Sequence, residues 1–205
     1  LGLVVAIHED PASESRVQLS IPALGESAGS VWARLATYDA GEGRGAFFYP
    51  EIGDEVVVGF LAEDPRHAVV LGSLHSSANT PPLDPTADNP EKGWFSREGV
   101  KLLVNDESKS FTLETPNGNV LELSDDTGGL RLEDENGNKI VLDSDGITLE
   151  SATAINIKAG TDAKMEAGAN LDIEASAQLK ASGSAGAEFS ASGSTTIRGA
   201  VVQIN

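Results

Sequence analysis

Cysteine is absent from the 205-residue chain, which excludes disulfide scaffolds, thiol nucleophiles and thiolate metal sites. Positive charge is scarce. The 14 Lys and Arg stand against 32 Asp and Glu, a net charge of −18. Residues 1–98 carry 15 acids and 6 bases, and residues 99–205 carry 17 and 8, so each part comes to −9. Such a surface repels phosphate backbones and anionic lipid heads, and no nucleic-acid partner is expected. Ordinary solubility accounts for most of the acidity. No apolar run approaches the roughly 18 residues that a membrane-spanning helix requires. The opening LGLVVAIHEDP has neither a basic leader nor a cleavage site. Because the first residue is Leu rather than Met, residues are expected to have been removed upstream, by processing or by design. Aromatic residues nearly vanish after position 95, where only Phe111 and Phe189 remain of the ten. The first part of the chain can therefore build a conventional core, and the second must be stabilised in another way. No segment of useful length has helical periodicity.

What is present is strand and turn. Residues 1–76 hold five short runs rich in Val, Ile and Leu: Gly2–His8, Arg16–Ile21, Ser30–Thr37, Glu55–Leu61 and His67–Leu74. Pro and Gly punctuate them. Five short strands in this length suit a small closed barrel of the OB type, with a flattened SH3-like barrel as the alternative. Residues 76–90, SSANTPPLDPTADNP, read as an extended linker. The KGWFSREG that follows reads as an anchor, with Trp94 and Phe95 docking on the barrel or on a neighbouring chain.

Beyond residue 100 the sequence repeats. A shift of 19 residues superposes Leu113 on Leu132, Asn117-Gly118-Asn119 on Asn136-Gly137-Asn138, and Leu121 and Leu123 on Ile140 and Leu142. Asn-Gly marks a tight turn, since both residues tolerate positive φ. From Ile147 the period shortens to eight. The third position of each octad reads Leu149, Ile157, Met165, Ile173, Ala181, Phe189, Ile197, and the first reads Ile147, Ile155, Ala163, Leu171, Leu179, Ala187, Thr195. The second and fourth positions are polar throughout, and the fifth and sixth hold only Ala, Gly or Ser. This composition is that of a linker, but the register is that of a four-residue strand with one face in and one out, followed by a tight bend.

One octad cannot stand alone. Its two inward side chains contribute about 1.5–3 kcal/mol each, whereas ordering eight residues costs about 1–2 kcal/mol apiece. Eight residues are also too few to circle a single-chain β-helix. Three chains, each giving a strand to one face of a prism, would close it and leave no lateral sheet edge. The expected fold is all-β. An OB-fold domain (1–76) is followed by a linker and anchor (77–99), an upper β-helix of 19-residue repeats (100–146) and an octad-repeat needle (147–205), the last two intertwined as a trimer. The expected trimer core is Ile147, Leu149, Ile155, Ile157, Met165, Leu171, Ile173, Leu179, Phe189 and Ile197.

The segment AFFYPEIGDEVVVGFLAEDPRHAVVLGSLHS (46–76) resembles the OB-domain signature of phage baseplate spikes and of the valine-glycine-repeat (VgrG) spike proteins. The matching pieces are Pro50, Gly53-Asp54-Glu55-Val56, Gly59-Phe60, Asp64-Pro65 and Leu71-Gly72-Ser73-Leu74. The octads resemble the same family's needle. The resemblance implies the homotrimeric central spike of a contractile injection system: type VI secretion, an extracellular phage-like particle, or a phage tail. It further implies tube or hub proteins above the barrel and a conical PAAR-like tip protein or effector at the C-terminal end. Contact with the target membrane would be transient. Assembly would take place in the bacterial cytoplasm, with secretion or extracellular release on firing. Val202, Ile204 and Asn205 from three chains would form the tip platform. The hub domain that relatives usually carry is not in this sequence, in line with the expected upstream removal. Nor is a toxin domain, or a His-x-His tip motif.

Other readings carry less. Asp54, Glu55, Glu63, Asp64, His67 and His75 lie close in sequence and could form a carboxylate–His site, but four of them flank Gly53 and Pro65, where turns favour acids. Asp134, Asn136 and Asn138 resemble the opening of a calcium loop, but the glycine falls at the fourth position and not the sixth. A plain turn is expected. GEGRG (41–45) lacks the ending of a phosphate-binding loop and reads as a flexible connection. Tyr38, Phe47, Phe48 and Tyr49 could stack bases, yet residues 1–76 hold four Arg and no Lys against eleven acids. Core or interchain packing is expected of them. Neither catalysis, a cofactor nor a metal is expected. A trimeric fibre or adhesin binding through its barrel remains the alternative function.

Overall fold

The computed structural model describes residues 1–25 and 29–203. It is all-β apart from short 3-10 turns. Two compact units are present, Leu1–Ile155 and Asn156–Asn205.

The first unit opens with a closed five-stranded barrel. Its strands are β1 (Gly2–Ala6), β2 (Val17–Ser20), β3 (Ser30–Leu35), β6 (Glu55–Phe60) and β7 (Ala68–Leu74). Neighbours run β1-β2-β3-β7-β6 and back to β1. All pairs are antiparallel except β3 with β7. This Greek-key closure is that of an OB barrel, and the five strands coincide with the five runs legible in the sequence to within one or two residues at each end. Alternation puts Val4, Val17, Leu19, Ala33, Val56 and Val70 inside, each at most 1% exposed. The core is aliphatic, because the interior of so small a barrel has little room. A Cβ on Gly2 would meet Val58 at 3.0 Å. Of the aromatics, Tyr49 and Phe60 pack against this core from its margin.

Residues 40–45 are not a flexible connection. They form the two-residue strands β4 (Ala40–Gly41) and β5 (Arg44–Gly45), turned by Gly43 at φ 66° and tied by the Arg44–Asp39 ion pair at 2.6 Å.

The second part of this unit is a seven-stranded antiparallel meander. It runs through β8 (Glu91–Phe95), β9 (Lys101–Asn105), β10 (Ser110–Glu114), β11 (Val120–Ser124), β12 (Gly129–Glu133), β13 (Lys139–Asp143) and β14 (Gly146–Glu150). β8 lies inside the stretch read as linker and anchor, and β14 is the strand of the first octad. Within one chain the repeats at 100–146, read as strand and tight turn, are antiparallel hairpins. The 19-residue period is one hairpin plus its next turn, after which the chain has regained its direction and its face. Register makes this concrete: Leu113 pairs with Leu121, Leu121 with Leu132, and Leu132 with Ile140.

The turns differ in one respect from the sequence reading. Only the glycine of each Asn-Gly pair is left-handed, with Gly118 at φ 86° and Gly137 at φ 81°. Gly118 N–H donates to Thr115 O and Gly137 N–H to Asp134 O. Each is thus a four-residue turn closed by a left-handed glycine, which leaves Asn117 and Asn136 free of positive φ.

In the second unit the described residues form no hydrogen-bonded strand. Instead the backbone bends at 160–161, 168–169, 176–177, 184–185 and 192–193. The bends recur every eight residues and fall at the sixth and seventh octad positions. The side chains along this unit are exposed.

Candidate assembly surface

The meander sorts its side chains by face. Residues directly opposite each other in an antiparallel ladder share a face. One column across the sheet is Trp94, Leu102, Leu113, Leu121, Leu132, Ile140, Leu149. Its neighbour on the same face is Lys92, Val104, Phe111, Leu123, Leu130, Leu142, Ile147. Thirteen of these fourteen positions are apolar, across all seven strands. Among the described residues of a single chain no second layer covers them. Leu132 is 41% exposed, Leu149 51% and Ile147 77%.

The opposite face carries cross-strand charge. Arg131 reaches Glu122 and Glu133, both at 2.8 Å, Lys139 reaches Glu150 at 2.9 Å, and Lys101 reaches Glu114 at 3.3 Å. The hydrogen bonds that Arg131 donates to Glu122 lead the factors that hold its guanidinium above its ordinary pKa. Exposed pairs of this kind are worth about 0–1 kcal/mol each, so they mark the solvent side more than they stabilise it. A sheet with one apolar and one charged face is built to be covered on one side.

The turns at one end of the sheet are set by side chains. The Asp134 carboxylate accepts from the N–H groups of Asn136 and Asn138, each at 2.9 Å, and from the Asn138 amide at 2.7 Å. These bonds, that of the Asn138 amide foremost, pull its pKa down to about 2. The oxygens that a calcium loop would offer to the ion are thus engaged in the turn. Asn138 Oδ1 accepts from the Ser151 hydroxyl at 2.6 Å, just before the chain bends at 152–153. Ile155 comes to line a cleft of about 430 Å³ with Leu132, Ile140 and Leu149.

Ten residues are expected in the core of the assembly. Ile147 and Leu149 stand in the two apolar columns, and Ile155 borders them. The other seven, Ile157, Met165, Leu171, Ile173, Leu179, Phe189 and Ile197, lie in the second unit and are 54–80% exposed. Within that unit Lys164 and Glu166, at the second and fourth positions of their octad, form an ion pair. That pair places both residues on one side of the extended chain. Val202 is 48% exposed, while Ile204 and Asn205 of the expected tip platform lie outside the described residues. The expected core begins at Ile147, but the apolar face already begins at Trp94. The alternation within each 19-residue repeat carried that signal.

The remaining constellations resolve into local structure. Asp54 accepts from Glu51 N–H. Asp64 caps the turn Pro65–His67 and binds Arg66 in a fork, which holds its carboxyl well below the usual carboxylate range. His67 Nδ1 stands 3.6 Å from Asp64, beyond hydrogen-bond reach. Three of the four barrel arginines, Arg16, Arg44 and Arg66, are paired with carboxylates, which leaves little charge for a phosphate backbone. Tyr49 donates to Ser15 O at 2.9 Å, while Tyr38, Phe47 and Phe48 are exposed.

Known proteins fit this division. Residues 1–75 match the type VI secretion system/phage-baseplate injector OB domain. Residues 110–205 match the phage baseplate V C-terminal trimerisation domain. The type VI secretion system spike protein VgrG1a of Pseudomonas aeruginosa is 34% identical over 68 residues, 33% of this chain and 11% of that protein. VgrG5 of the same organism is 36% identical over 80 residues, 38% of this chain and 10% of its own length. The actin cross-linking toxin VgrG1 of Vibrio cholerae is 38% identical over 58 residues, 28% and 5% of the two chains. The matched stretch thus spans about a tenth or less of these relatives. With the barrel closed as an OB domain, a sheet that leaves its apolar face open and a tail of octads matched by a trimerisation domain, the chain belongs to the family of phage-baseplate and type VI secretion (VgrG) spike proteins.

Proposed function

We propose that this chain is the central spike of a contractile injection system. Three copies assemble, each covering the others' apolar faces. The octads of the three copies, with Ile157, Met165, Leu171, Ile173, Leu179, Phe189 and Ile197 at the axis, pair into a stiff needle with a polar coat. The needle caps the inner tube below hub or tube proteins that contact the barrel. It carries a conical tip protein or effector on a platform of Val202, Ile204 and Asn205, and it is driven through a target envelope. The particle is assembled in the cytoplasm and leaves the cell on firing. The work is mechanical and not catalytic.

The observation that carries this reading is the apolar sheet face, two columns wide and seven strands long, together with octads whose backbone bends every eight residues and, among the described residues, pairs with no strand of its own chain. A chain leaving this much apolar surface in water is strongly driven to associate. Light scattering on the intact chain tests it. A mass three times that of one chain, resistant to heat and detergent, is expected, and a monomer would overturn the reading.

The adhesin alternative has one observation in its favour. A groove of about 600 Å³ lies between the β1–β2 loop and the exposed Phe47, which rests on Tyr49 with ring centroids 4.9 Å apart. Binding of a glycan panel to the intact chain that is abolished by Phe47→Ala would favour that reading.

A further inference from the structure

The match to a trimerisation domain begins at residue 110, but the apolar face of the meander begins earlier, with Trp94 in β8. Trp94 is 45% exposed. Its ring meets that of Phe48 edge-on, with the ring centroids 5.7 Å apart. Phe48 belongs to the barrel, in the segment between β5 and β6. The apolar column thus continues off the sheet and onto the first domain.

That segment is firmly held. Ala46 N–H donates to Asp39 O, and Gly53 N–H donates to Val4 O, each at 2.9 Å. Tyr49 anchors its middle through Ser15 O. Arg97, in the turn after β8, reaches Glu51 at 2.9 Å. Yet on this ordered support Phe48 is 56% exposed and Ile52 59% exposed, and neither is among the side chains packed against the barrel core. A fixed backbone that presents large apolar side chains outward is an interface in waiting.

We propose that the interchain contact extends through Trp94 onto Phe48 and Ile52, so that a second copy of this chain covers the 46–52 segment of the barrel. The occupant follows from continuity. Whatever copy lies over Leu102 and Trp94 in the first column also reaches Phe48, whose ring packs directly on that of Trp94. The barrel is then clamped in the assembly, and not merely tethered by the Pro-rich stretch 76–90, so thrust passes directly from barrel to needle. This inference rests on the trimeric reading above.

The absence of cysteine makes the test clean. Phe48→Cys and Ile52→Cys are made singly in the intact chain, with Asp84→Cys in the exposed Pro-rich stretch as reference. Light scattering first establishes the mass of the native chain and of each variant. Maleimide labelling rates are then compared. The thiol introduced by Phe48→Cys or Ile52→Cys is expected to react at least tenfold more slowly than that from Asp84→Cys, more than half-exposure in a single chain would produce. If Phe48→Cys alone fails to trimerise, Ile52→Cys decides. Equal rates within a confirmed trimer would overturn this inference and leave the trimer standing. Fast labelling that slows only when a tube or hub protein is added would give the surface to that partner and would also overturn it. A monomeric native chain would remove both readings together.

Discussion

The sharpest test of the needle is a pair of adjacent substitutions in one octad. Asp172 and Ile173 occupy its second and third positions, and the assembly reading places them on opposite faces. Ile173 is 58% exposed in the single chain. Burying a whole side chain of this kind contributes about 1.5–3 kcal/mol, so the assembly supplies about 0.9–1.7 kcal/mol per chain here. Over three chains that is about 3–5 kcal/mol, to which a cavity cost is added when Ile173→Ala leaves space at the axis. At about 1.4 kcal/mol per tenfold, the trimer association constant should fall roughly a hundred- to several-thousand-fold. Ile173→Asp is harsher, since it brings three carboxylates together without partners at several kcal/mol each, and no trimer should form at micromolar concentration. Asp172→Ala, one residue away, should shift stability by no more than about 0.5 kcal/mol. The assay is light scattering over a dilution series. A stable trimer of Ile173→Asp would refute the inside/outside assignment, and dissociation of Asp172→Ala with an intact Ile173→Ala would show the register inverted.

Three further outcomes follow from the meander. A Cβ at Gly129 would stand 2.0 Å from Leu142 O. Gly129→Ala should therefore force β12 and β13 apart at that end and lower stability by about 1–3 kcal/mol, read as a shift of the denaturant midpoint. Gly137 has open space around it but sits at φ 81°, so Gly137→Ala should cost about 1–2 kcal/mol from backbone strain alone, with the strand register unchanged by hydrogen exchange. Asp134 titrates near 2, against an ordinary value of 3.8. Its ionised form therefore supports the turn above about pH 4, and that support is lost as pH falls toward 2. Carboxyl chemical shifts followed by NMR should place the midpoint well below those of exposed aspartates, and a midpoint near 4 would show that the amide donors of Asn136 and Asn138 do not hold it.

Much of the barrel was legible because its signals are local. Runs such as Glu55–Phe60 are short, β-branched and bounded by Gly or Pro, and alternation then chooses the inner face. The turn at Asp134 was legible for the same reason, since it is made of residues within five positions of each other. β8 was hidden by composition, because Glu-Lys-Gly-Trp-Phe after four prolines reads as an anchor following a linker until Leu102 and Leu103 pair with it. In the upper region the Asn-Gly turns and the 19-residue repeat were legible, but not which residues of successive strands stand opposite each other. Period alone does not give strand direction, and the hydrogen-bond register does.

The sequence by itself determined the periods and the faces. The eight-residue spacing of Leu149, Ile157, Met165 and Ile173, with polar neighbours on either side, states which side chains seek cover, because side-chain direction alternates along any extended chain. Only the tertiary structure decided how far that uncovered face reaches. Cross-strand pairing lines up Trp94, Leu102, Leu113 and their successors in one column and brings Phe48 of the barrel against its first member. Residues so far apart in the chain share a surface only after the ladders have formed. That is why the core expected from the octads began at Ile147, while the apolar face of the folded chain begins at Trp94.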